Sequence, residues 1–175
     1  MAAGRIWLAL IMVLLMAAAA QAAPEFYVAV TGAIQGPFKG ELVGKGLEGK
    51  FAGLGINYEL VSPRDATTGQ STGKRLHKPL RIQKAWGPAS LQLYSALLKN
   101  ELLSVSIDFV APDPATGQLI LDHSVKLSGA AVALFRSQSE PGQSPSSDLI
   151  DFVFQKIELV DHKGKGAVMD TWIVP

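Results

Sequence analysis

Residues 73–103, GKRLHKPLRIQKAWGPASLQLYSALLKNELL, decide the fold because their hydrophobic period changes partway along. From Pro88 to Asn100, residues Leu91, Tyr94, Leu97 and Leu98 fall at i, i+3, i+6 and i+7, one face of an amphipathic helix. Gly87-Pro88 breaks the strand before it, Ser90 offers an N-cap oxygen, and Asn100 suits the left-handed turn that ends a helix. On this spacing Leu97 is a core residue. No other segment carries a comparable helical period, so this is the one substantial helix.

Outward from it the chain reads as strands. Seventeen glycines and ten prolines punctuate short runs rich in β-branched and aromatic residues, the pattern of an all-β domain. Phe26 to Ile34 sets Phe26, Val28 and Val30 on one face, and Phe51 to Val61 carries Leu54, Ile56, Tyr58 and Leu60 in alternation. Val105, Ile107 and Phe109 alternate with polar neighbours up to the turn Asp113–Gly117. Leu119 to Phe135 is one long strand or two broken near Gly129, and a Ser/Pro/Gly-rich loop follows from Arg136 to Ser147. Ile150, Phe152 and Phe154 alternate again, and the segments 156–160 and 167–174 flank a hairpin connection at 162–166. Between Ser62 and Lys78 lies a long polar stretch, too hydrophilic to pack inside. It is an extended surface loop and a candidate interaction element.

At the other end, Met1 to Ala22 has the layout of a secretory signal peptide: Arg5, then an apolar run from Ile6 to Ala20, then Ala20-Gln21-Ala22 before a cut at Ala23. That run is short for a bilayer span, which takes about 20 apolar residues. The expected mature chain, residues 23–175, is one domain without stable membrane insertion, exported to the periplasm or beyond the cell. Losing Arg5 leaves 15 basic against 15 acidic residues. The basic excess of a nucleic-acid binder is missing, and near-neutrality permits self-association. With no cysteine, neither a disulfide nor a thiolate metal site is available.

Three motifs imitate catalytic or ligand-binding loops and fail on context. Gly44-Lys45-Gly46-Leu47-Glu48-Gly49 has dinucleotide-loop spacing, but Lys50 to Leu60 alternates as a strand, so no helix N-terminus follows to hold a phosphate. Read as a P-loop through Gly44, Gly49 and Lys50, it has Phe51 where magnesium needs a hydroxyl. It is a glycine-rich turn needing positive φ. Gly69-Gln70-Ser71-Thr72-Gly73 fits a hydrolase elbow, yet it sits in the polar loop without the strand and helix that aim the serine. His77, His123 and His162 have no metal-binding companions at close spacing. Asp148 and Asp151 fall on opposite faces of a strand, so they are assigned to surface solvation and not to paired-carboxylate catalysis. No catalytic residue, cofactor or metal is expected.

Residues 73–103 resemble the central block of the Hcp family, the haemolysin-coregulated protein of the type VI secretion tube. The matching places are His77, Lys78, Pro79, Leu80, Ile82, Lys84, Ser90, Leu93, Ala96, Leu97, Asn100 and Glu101. Gly46 to Lys50 resembles the family's glycine-rich lead into its second strand, and 152–157 with Asp170 and Trp172 its C-terminal strands. The resemblance implies a closed or nearly closed antiparallel β-barrel with one flanking helix, assembled into hexameric rings that stack and shelter effector proteins. It also implies that the 62–78 loop, with Arg64, Asp65, Lys74, Arg75 and His77, takes part in assembly. The leader is atypical, since the family's tube subunits carry none. The expected function is that of a structural ring-forming protein, with an exported monomeric binding module of the same fold as the alternative and no enzymatic activity.

Overall fold

In the computed structural model the described residues are 26–139 and 146–172. The expected leader, residues 1–22, and its cut before Ala23 lie outside them.

Alternation dictates the first strand. In β1 (Phe26–Gly32), Phe26, Val28 and Val30 all turn inward and are buried, as the pattern requires. β1 then pairs antiparallel on one side with β3 (Lys50–Asn57) and on the other with β7 (Leu103–Pro112). The circuit continues from β7 to β8 (Leu119–Gln138), to β9 (Ser147–Val153), to β6 (Leu80–Ala85), and back to β3. Six strands therefore close into an antiparallel barrel, and closure leaves no edge within that ring. Its interior holds Val28, Phe51, Ile82, Ile107, Ile150 and Phe152, all essentially inaccessible. β2 (Gly36–Pro37) only folds back on β1.

Strand β8 is a single strand of 20 residues, and both readings of it contain part of the answer. Through Ser128 it is flanked by β7 and by β10 (Lys156–Asp161); from Ala131 it pairs with β9. Gly129 marks the change of neighbour with φ +58°, a left-handed bend that glycine adopts without strain. β11 (Gly166–Thr171) adds to β10 as an edge strand. The loop expected from Arg136 to Ser147 is shorter, because β8 runs to Gln138.

Three local expectations need correction. Helix α1 (Pro88–Lys99) forms where expected and ends on Asn100 at φ +49°, but Gly87 is its N-cap, and Ser90 lies three positions inside. Its buried face is Ala89, Ser90, Leu93 and Ala96, whereas Leu91, Tyr94 and Leu98 are exposed and Leu97 is half-buried. Small residues beside Leu93 let the helix lie close to the barrel wall, and Leu91, Tyr94 and Leu98 are left outside. In β3 a bulge between Gly53 and Gly55 shifts the register, so Leu54 is exposed and Ile56 only half-buried. Leu60 too is exposed. Gly53 itself is required for packing: a Cβ there would come within 1.8 Å of the Phe26 ring.

Candidate functional site

The polar stretch forms an arm. β4 (Leu60–Val61) and β5 (Leu76–His77) pair as a two-stranded ladder outside the barrel, and an isolated bridge between Arg64 and Ser71 extends the hairpin outward. Its tip is locally ordered: the Asp65 carboxylate accepts from the Thr67 and Thr68 amides at 3.0 and 2.7 Å, and Arg64 donates to the Gly69 carbonyl at 3.1 Å. These bonds, first among them that from the Thr68 amide, hold the Asp65 carboxyl below the usual carboxylate range.

The base of the arm is clasped to the end of the chain. Arg75 makes a bidentate pair with Asp170 of β11, both bonds 2.9 Å. Two parallel donors on one carboxylate fix an orientation as well as a distance. His77 is buried, stacks on Trp172 with ring centroids 5.8 Å apart, and meets Phe154 edge-on at 5.6 Å. Its Nδ1 shares a hydrogen bond of 2.7 Å with the Tyr58 hydroxyl, and its Nε2 lies 3.4 Å from Asp170. The Arg75 guanidinium beside Asp170 holds that carboxyl below its ordinary range. Burial, and then the Asp170 charge, push the Tyr58 phenol up.

Of the five assembly residues named from sequence, Arg75 and His77 meet at the clasp, Arg64 and Asp65 shape the tip, and Lys74 is exposed just before β5. A cleft of about 540 Å³ lies beneath, lined by Ser62, Ser71, Lys74, Leu76 and Thr171 among others. The clasp partners Tyr58, Phe154, Asp170 and Trp172 were not assigned to it from sequence. No local spacing links residues 95 apart, so only the fold brings Arg75 to Asp170.

A second polar cluster sits inside the barrel, where alternation places it. β6 turns Leu80, Ile82 and Lys84 inward, and β9 turns Asp148, Ile150 and Phe152 inward; Lys84 and Asp148 are cross-strand partners and both fully buried. The Lys84 ammonium donates to the Ala85 carbonyl at 2.6 Å and to Ser90 Oγ at 3.0 Å, and pairs with Glu41 at 3.0 Å. Ser90 Oγ in turn donates to Asp148 and accepts from the Gly87 amide at 3.1 Å. This corrects the assignment of Asp148 and Asp151 to surface solvation. The two do face opposite ways, but Asp148 lies under the helix, and Asp151 is covered by Arg81 through a bidentate pair of 2.6 and 2.7 Å. The sequence signal was a charge at the inward position of each alternating run, Leu80-x-Ile82-x-Lys84 and Asp148-x-Ile150-x-Phe152.

The imitation motifs keep their structural roles. Gly44, Gly46 and Gly49 all have positive φ in a turn before β3, and Lys50 pairs with Asp108 at 3.0 Å. Burial alone would raise the Asp108 carboxyl; hydrogen bonds from Lys50 and Ser124 outweigh it and hold the carboxyl low. Ser71 Oγ donates to the Gly73 carbonyl within the arm. His123 stacks on Phe109 and bonds Asp122, while His162 bonds Ser124. Among the described residues no group of three or more His, Asp or Glu is placed to hold a metal, and no helix is long and apolar enough to cross a membrane.

Comparison with known proteins agrees with this geometry. Residues 27–160 match the family described as type VI secretion system effector, Hcp. The major exported protein of Pseudomonas aeruginosa strain PAO1 is 30% identical over 165 residues, covering 85% of this chain and 95% of that protein. Among solved structures, an Hcp protein superposes with TM-score 0.77 at 19% identity, covering 84% of this chain and 98% of the other. A mutant of Hcp1 from Escherichia coli EAEC 042 gives 0.78 at 22%, covering 86% and 100%. The secreted protein Hcp3 from Pseudomonas aeruginosa gives 0.70 at 22%, covering 85% and 99%. Hcp is a secreted, structural tube protein and not an enzyme. With the family match spanning most of the described barrel, the chain belongs to the Hcp family of the type VI secretion system.

Proposed function

We propose that the mature chain, residues 23–175, is a ring subunit that assembles into hexamers, and that the rings stack into a tube able to carry effector cargo. Self-association in general is supported by the family, and near-neutral charge does not oppose it. The observation that carries the reading is the arm: a polar hairpin standing off a closed barrel, fixed at its base by Arg75–Asp170, is a preorganised contact element. A ring needs such a heterologous surface, one face of a subunit meeting a different face of the next. In this reading Arg64, Asp65 and Lys74 make the contact, while Arg75 and His77 hold the arm in position. Light scattering of the mature protein tests it. Six times the protomer mass at micromolar concentration is expected; a strictly monomeric mass at high micromolar concentration refutes the ring and favours a monomeric exported binding module. Shortening the arm between Ser62 and Lys78 should weaken assembly with the far-ultraviolet β signal intact.

Export belongs to the same reading. The leader 1–22 would expose a large apolar surface on a folded barrel if it stayed attached, so its removal after Ala22 is expected. Mass spectrometry of the native protein should find Ala23 at the amino terminus. An intact Met1 in the cytosolic fraction refutes export by this route.

A further inference from the structure

We propose that the cleft beneath the arm is a binding site for a small phosphorylated, hydroxyl-rich molecule of the sugar phosphate class. The inference goes beyond the ring reading, and the walls of the site all come from one chain. At about 540 Å³, the cleft falls within the ~300–1,000 Å³ range of small-molecule pockets. One wall is the returning side of the arm, with Ser71, Lys74, Arg75 and Leu76, and the other is Thr171 at the end of β11. The Arg75–Asp170 pair ties arm to β11, so the two walls are held in place before any ligand arrives. A preformed cavity of this kind spends little binding energy on ordering itself.

The chemistry of the lining selects the ligand. Lys74 and Arg75 supply cations, and none of the described lining residues is acidic; Asp170 lines a neighbouring cleft instead. Lys74 makes no ion pair among the described residues. Arg75 gives Nε and Nη2 to Asp170, and its Nη1 has no partner among the described residues. With the Arg75 charge balanced by Asp170, Lys74 leaves the cleft net positive. An ammonium point charge near guanidinium N–H groups is a donor set suited to phosphate oxygens. The hydroxyls of Ser62, Ser71 and Thr171 also line the cleft. Ser71 Oγ donates to the Gly73 carbonyl at 3.2 Å, which leaves its lone pairs free to accept. Side chains that both donate and accept match a polyhydroxylated body, and the volume is far larger than a bare phosphate would fill.

Calorimetric titration of the mature protein with glucose 6-phosphate, glucose and inorganic phosphate tests the site. Saturable binding of glucose 6-phosphate, one molecule per protomer, is expected, tighter than inorganic phosphate by about tenfold or more, with no saturation by glucose. Lys74→Gln, at an exposed position, should weaken that binding by about tenfold or more. Lys163→Gln, at the far turn of the β10–β11 hairpin, should bind as wild type does. No saturable binding of glucose 6-phosphate overturns the site. Glucose binding as tightly overturns the oxyanion contact, and phosphate binding as tightly overturns the contact with a hydroxylated body. Equal losses in the two lysine variants would reduce the binding to general surface charge and overturn the cleft as its place.

Discussion

Replacing Lys84 by Met is the sharpest test of the buried network. The lysine side chain is wholly buried, and its ammonium holds Glu41, Ser90 and the Ala85 carbonyl at 2.6 to 3.0 Å. Methionine fills nearly the same volume, so the packing contribution changes little. What changes is polar. Asp148 stays inside the barrel with one oxygen, Oδ1, already without a partner and the other held only by Ser90, whose hydroxyl has lost its charged donor. Glu41, about a quarter exposed, loses its counter-ion and keeps a bond from the Ala89 amide at 3.3 Å. Removing one member of a buried charged cluster in this way costs about 3–5 kcal/mol. That is a large part of the ~5–15 kcal/mol that stabilises a typical domain. Urea unfolding, followed by tryptophan emission at concentrations below assembly, reads the loss as a shift of midpoint at constant slope. The double variant Lys84→Met/Asp148→Leu should recover part of it, because the orphaned carboxyl is gone; a coupling of about 1–3 kcal/mol is expected. A Lys84→Met protein within about 1 kcal/mol of wild type would refute the argument, since loss of buried charge partners is the only large effect in play.

Three further outcomes follow from the packing and the clasp. Leu93→Ala, at a fully buried helix position, should cost about 2–5 kcal/mol in the same assay, while Leu98→Ala, on the exposed face, should stay within about 0.5 kcal/mol of wild type; equal losses would restore the helix face read from sequence. Gly53→Ala drives a methyl group into the Phe26 ring and should destabilise by about 1–3 kcal/mol, with a neutral result showing that the bulge relaxes instead. The Asp170 carboxyl, held low by Arg75, contributes stability that is fully present above its unfolded value near pH 4 and is lost as pH falls through the lower folded value. The stability gap between wild type and Asp170→Asn should therefore narrow as the pH drops from 6 to 2.5, and a gap that does not change with pH would exclude the ionic clasp.

The strands were legible because burial on one face imposes a period of two: Phe26/Val28/Val30 and Val105/Ile107 needed no tertiary knowledge. The helix was legible as a helix but not in its orientation. Its apolar residues surround most of the axis, and the wall selected the small ones, Ala89, Ser90 and Ala96, which no count of large hydrophobics would favour. The bulge in β3 escaped for a related reason: two glycines at 53 and 55 permit a register shift without announcing one. At the candidate site, the arm could be read from its polarity and length, and the family likeness drew attention to Arg75 and His77. Their partners could not be read. Asp170 and Trp172 lie at the far end of the sequence, and only the strand order brings them under the arm.

The pairing order of the barrel also sets a schedule. Phe26 is among the first residues of β1 to be made, yet its partner across the ladder is Phe109, about 80 residues later, and β6 waits for β9. At synthesis rates of about 5–20 residues per second, β1 spends on the order of 4–16 seconds with no strand of its final β7 seam to join. Long-range pairing of this kind folds slowly. Until residues near 153 exist, the wall has a gap where β9 will join β6 to β8. The closed wall is thus a late event, and the moment of closure is controlled by the last third of the sequence.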